Sequence, residues 1–183
     1  VYDVHENERP YIDFNFDPGY IAYPAIFQPD AMLMHNDNEI WLGAAGQNEY
    51  WGGCHVWVSD NNTNYRQIGE IKIAARIGKL VHDVSAEADS IEVTMSGALI
   101  SGTEQDAERG NTLLWCDGES MSYTTATLLE SGNYRLEGLV RGQYGTSPSV
   151  HKAGVQVVRC DDALIKPSFL GSDIGKMVHF KFT

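Results

Sequence analysis

Positive charge is scarce in this sequence. Thirteen lysines and arginines stand against twenty-five acids, a net charge of −12 over 183 residues. A protein that grips nucleic acid must replace counterions along the phosphates with cationic side chains. These few, scattered cations exclude DNA or RNA as an expected partner. The same imbalance disfavours docking on an anionic membrane, and it suits a basic protein partner. Long hydrophobic runs are missing too. No stretch approaches the ~20 apolar residues of a spanning helix, so no membrane insertion is expected.

Cysteine is equally sparse. Cys54, Cys116 and Cys160 are three in number and far apart, which argues against a disulfide framework. No pair of cysteines or histidines has zinc spacing, so neither a structural metal nor a cofactor is expected. Three reduced cysteines, some of them in the core, are the expected state.

Motifs for catalysis are absent as well. The six histidines, His5, His35, His55, His82, His151 and His179, are dispersed, and no HExxH occurs. The stretch "DGESMSY" is not a GxSxG nucleophile elbow. Asp60, Asn62 and Asn64 begin like a calcium loop, but Tyr65 and Ile71 occupy the positions that require glycine and glutamate. A polar hairpin turn is the better reading. A carboxylate pair cannot be read from spacing among so many acids. No enzymatic activity is expected.

What the chain does contain is alternation with period two. "YIDFNFD" sets Ile12, Phe14 and Phe16 on one face and Asp13, Asn15 and Asp17 on the other. That is the mark of a half-buried strand. "EIWLGA", "CHVWVS", "SIEVTMS", "NYRLEGLV", "GVQVVRC" and "KMVHFKFT" read likewise. "NTLLWCDGESMSYTTATLLES" reads as a hairpin turning at Asp117-Gly118. "PDAMLMHND" fits a helical turn or a strand, and "GEIKIAARIGKLVHDV" fits either period in part. Turn dipeptides recur about every eight to twelve residues, the rhythm of an all-β antiparallel sandwich or barrel. It could be divided into two small β subdomains.

Three of the six prolines fall within "DPGYIAYPAIFQPD", which reads as an extended connector. Residues 1–30 are therefore expected to be a strand and connector from a preceding domain. Residues 31–170 form the β domain, and 171–183 hold a strand leading into a following one. "SGTEQDAERGN" reads as a polar loop between two halves. The chain opens without methionine and stops inside an alternating pattern, so both ends read as cuts in a longer polypeptide.

One turn region is unusually rich. "LVRGQYGTSPSVHKAG" (139–154) lacks the lysine of a phosphate loop, and a strand pattern follows it instead of a helix. A structural turn fits better. Gly142 and Gly145 permit positive φ, Thr146 closes the motif, and the Arg141 fork suits loop carbonyls or a nearby carboxylate. Tyr50 and Trp51, ahead of two glycines, could stack on a sugar or a protein partner, and Tyr144 is a further aromatic candidate. The simpler reading has Trp51 packed over its own glycine turn.

Taken in order, these pieces resemble tail-tip proteins of tailed bacteriophages and gene transfer agents, the host-specificity or baseplate-hub type of siphophages. The likeness rests on "EIWLGAAGQNEYWGGCHVWVSDNNTNYRQIGEI" and on Gly118, Glu119 and Tyr123. It continues through the "YxLxGLxRGxxGT" stretch from Tyr134 to Thr146, the "HxxG" of His151 to Gly154, and "DDAL" from Asp161 to Leu164. It spans about residues 40–165. The resemblance implies an all-β section of a virion tail tip, assembled in the bacterial host cytoplasm. It implies other phage tail proteins as partners, a homotrimer in the full-length protein, and a host-surface glycan or receptor reached through the tip. Arg141, Gly142, Gly145 and Thr146 are then a structural signature.

Three functions compete on these grounds. A structural section predicts no catalytic constellation. A glycan- or receptor-binding module predicts Tyr50, Trp51 or Tyr144 together on a rim. A wall-degrading hydrolase predicts two carboxylates ~5–10 Å apart in a cleft.

Overall fold

A computed structural model describes residues 19–48 and 50–183. The strand expected at Ile12, Phe14 and Phe16 lies outside the described residues. Among the described residues the protein is all-β, with twelve strands and one short helix. Every strand pair is antiparallel.

The strands are β1 (Ile21–Phe27), β2 (Trp41–Gly46), β3 (Cys54–Ser59), β4 (Arg66–Ile71), β5 (Ile77–Leu80) and β6 (Ser90–Met95). They continue as β7 (Leu114–Cys116), β8 (Glu119–Met121), β9 (Thr125–Leu128), β10 (Tyr134–Glu137), β11 (Gln156–Arg159) and β12 (His179–Phe182). A seven-stranded sheet runs β8-β7-β11-β5-β6-β10-β9, a three-stranded sheet runs β12-β3-β4, and β1 pairs with β2.

Alternation places the core. On β6, Ile91 and Val93 point inward, meeting Leu136, Leu114 and Val157 of the same sheet in the largest apolar cluster. A second cluster joins Phe27 and Trp41 to Ile77 and Val158, and links β1 and β2 to the large sheet. The third, around Leu42, Val56 and Ile71, underlies the three-stranded sheet. The stretch of ambiguous period resolves into β4 and β5.

Two segments differ from the sequence reading, and a third, read as a strand, gains its partner from the structure. The proline-bearing connector holds β1, a seven-residue strand that pairs with β2. Pro24 is tolerated because β1 is an edge, where a missing N–H breaks no ladder. The polar stretch 101–111 contains helix α1 (Glu104–Glu108), started by a capping box between Thr103 and Asp106. Strands from both sides of that stretch share the seven-stranded sheet. The terminal strand β12 pairs with β3.

Candidate functional site

The turn 141–146 is held by a carboxylate that the sequence does not place beside it. β7 and β8 form a hairpin through Asp117 (φ 46°) and Gly118 (φ 85°). Positive φ at both central residues gives the turn whose twist matches the strands. The hairpin delivers Glu119 into the interior, 1% exposed. Its Oε1 accepts hydrogen bonds from Arg141 Nε (2.6 Å) and the Gly142 amide (3.1 Å). Its Oε2 accepts from Arg141 Nη2 (2.8 Å), the Ser149 amide (3.0 Å) and His151 Nε2 (2.8 Å). A carboxylate only accepts, so His151 carries its proton on Nε2.

Arg141 reaches further. Its Nη1 donates to the Ser85 carbonyl at 3.0 Å and its Nη2 to the Ser149 carbonyl at 2.9 Å. One planar fork therefore ties three separated segments, a geometry that lysine could not supply. Burial pushes the Glu119 carboxyl up. The bonds from Arg141, His151 and the Ser149 amide more than reverse that, holding it down at about 2. The charge is thus retained in the interior because each oxygen has several donors.

The rest of the motif is anchored as closely. Gly142 has φ 63° and Gly145 φ 85°. A Cβ on Gly142 would lie 2.5 Å from Pro148 Cδ. The Thr146 hydroxyl donates to the Gln143 carbonyl (2.8 Å) and accepts from the Ser120 amide (3.1 Å). Gln143 reaches the Ala107 carbonyl of α1 through Nε2 at 3.0 Å. Tyr144 adopts φ 53°, unusual for a bulky residue. Its hydroxyl donates to the Arg109 carbonyl at 3.0 Å and its ring covers Gly110.

Those contacts separate the three aromatic candidates. Tyr144 belongs to the end of α1. Trp51 lies over Gly46, where a Cβ would sit 2.1 Å from its own, and packs on the third cluster. Tyr50 is 57% exposed on the β2–β3 connection, with its amide donating to Asn48 Oδ1.

A second buried carboxylate, Glu39, is also hydrogen-bonded through both oxygens. Its oxygens accept from the amides of His35 and Asn36, the Asn36 side chain and Trp41 Nε1. Burial raises the carboxyl and these bonds outweigh it, so it lies below the usual range. The calcium-like stretch is a turn in which Asn61 Oδ1 accepts the amides of Thr63 and Asn64 at 2.9 Å. Among the described residues no three histidines, cysteines or acids come together as a metal site.

Sequence reasoning singled out Arg141 and the glycines, and the resemblance included Glu119 and His151, but nothing in the sequence joined them to one another. Glu119, Ser149, His151 and the Ser85 carbonyl approach only once the sheet has formed. The available signal was Arg141 itself, whose fork called for a carboxylate without saying which.

A family model described as Rcc01698-like, C-terminal, matches residues 67–158, about half of the chain, and the chain belongs to that family. The match takes in Glu119, Arg141, Ser149 and His151 together. No curated protein matches the chain.

Proposed function

We propose that this chain is a structural section of a phage or prophage tail-tip protein, working through assembly rather than catalysis. Its partners would be other tail proteins, and its location the distal end of the virion tail. The observation that carries the reading is the saturation of the Glu119 carboxylate, both of whose oxygens are filled by donors of this chain. The motif region richest in polar side chains has its charge, glycines and hydroxyl committed to holding backbone. A reacting group needs a free lone pair or proton aimed at substrate, and Glu119 has neither. The ordered motifs of the tail-tip resemblance coincide with this turn, which accounts for their chemistry as architecture.

Electron microscopy of particles from producing cells, labelled with antibody against this chain, tests the proposal. Label at one end of the tail is expected. Particles that carry no label, with the chain found only in free form, would refute it.

A further inference from the structure

Among the described residues the last strand, β12, pairs on one side only. In the β12–β3 pair, His55 and Thr183 exchange both backbone bonds, at 2.7 and 3.0 Å. Stepping two residues along the antiparallel register gives Lys181 with Trp57 and His179 with Ser59 as the other bonded pairs. The N–H and C=O groups of Phe180 and Phe182 therefore point away from β3. Among the described residues no hydrogen bond meets them.

Beside that edge runs a cleft of about 570 Å³, whose lining includes the apolar Ile26, Ile40, Val178 and Phe180 together with Tyr65 and His179. Ile26 is 47% exposed there, and Leu170, Ile174 and Met177, leading into β12, are each more than 70% exposed. Several large apolar residues left open next to unpaired backbone mark an interaction site.

We infer that β12 takes an added strand from another polypeptide, one that alternates apolar and acidic residues. The alternation follows from the two faces of β12. Phe180 and Phe182 turn inward onto the third cluster, so the incoming residues beside them must be apolar to cover Ile26 and Ile40. His179 and Lys181 share the opposite face, where Lys181 Nζ stands 4.9 Å from the Tyr65 ring centre. Opposite charges pair favourably across strands, so acids belong beside them. Lys181 also argues against a second copy of this chain. An edge-to-edge pair of β12 strands would crowd the cations of both copies, a device that keeps sheet edges apart. Backbone bonds would give such a complex its affinity, and the alternating side chains its selectivity. The inference rests on this strand edge alone and is independent of the virion reading.

Amide exchange in the whole chain, followed by NMR, tests it. The probes are two acetylated nine-residue peptides, one alternating valine with aspartate and one alternating valine with lysine. The aspartate peptide should slow exchange at Phe180 and Phe182 by about tenfold, the worth of one added backbone bond. The lysine peptide should not, and Ile26→Asp, at an exposed position outside the β12–β3 ladder, should abolish the effect. Equal slowing by both peptides, or by neither, overturns the inference. So does protection that grows with protein concentration, which would mean a second copy. Protection already present in the free chain and lost on removal of residues 1–17 overturns it as well, because the occupant would then be this chain.

Discussion

At the scale of single residues, Gly142 and Glu119 do different work in the same turn. Gly142 and Gly145 are there because the backbone is left-handed at both. Valine at either position should cost about 1 kcal/mol or more, from the clash between Cβ and backbone at positive φ. Gly142→Val should be the worse, since its Cβ would also strike Pro148 at 2.5 Å, while Gly145 meets Asp30 Oδ1 at 3.0 Å. Thermal melts of both variants beside the parent check this ordering, and unchanged midpoints would dismiss it. Cysteine gives a second prediction. Burial raises the thiols of Cys54, Cys116 and Cys160 to about 11, 12 and 12. The thiolate is the nucleophile, so all three should resist iodoacetamide at pH 8 in the folded chain and react on unfolding. Mass spectrometry of rapid labelling at native conditions would expose any that reacts early.

Elements show where the sequence was legible. β3 and β6 follow from strict alternation, and the β7–β8 turn from Asp117-Gly118, because those signals are local. β1 was hidden by Pro24, whose cost vanishes only on an edge, and being an edge is a property of the sheet. Helix α1 was hidden by its five residues, too few for an apolar period. Its capping box was visible in Thr103 and Asp106 but used aspartate where glutamate or glutamine is usual. Thr103 Oγ1 accepts the Asp106 amide at 3.1 Å, and Asp106 returns a bond to the Thr103 amide at 2.9 Å. Thr103→Ala should therefore lower stability by about 1 kcal/mol. Urea unfolding would measure it, and Thr103→Ser should restore most of the loss.

Across the whole molecule, sheet order decides what meets. The order β8-β7-β11-β5-β6-β10-β9 is not sequential. It is why Glu119, Arg141, Ser149 and the Ser85 carbonyl, dispersed along the chain, close on one another. Alternation fixes which face of a strand is buried, not which strand lies next to it. The turn was thus readable as a turn, and its lock was not. The tail-tip proposal depends on the lock being structural, and pH exposes that. The Glu119 carboxyl sits at about 2 in the fold against an ordinary 4.5. A lowered carboxyl contributes stability that is fully present above its unfolded value and lost as pH falls through its folded one. Glu119 should therefore supply about 3 kcal/mol at pH 7 that disappears between roughly pH 4.5 and 2. The most direct measurement is the unfolding free energy of the parent and of Glu119→Gln at steps from pH 7 to pH 2. A gap of about 3 kcal/mol at neutral pH that closes towards pH 2 is the expected result, the remaining carboxylates being common to both. Curves that coincide at every pH would contradict the lock, and with it the reading of this turn as architecture.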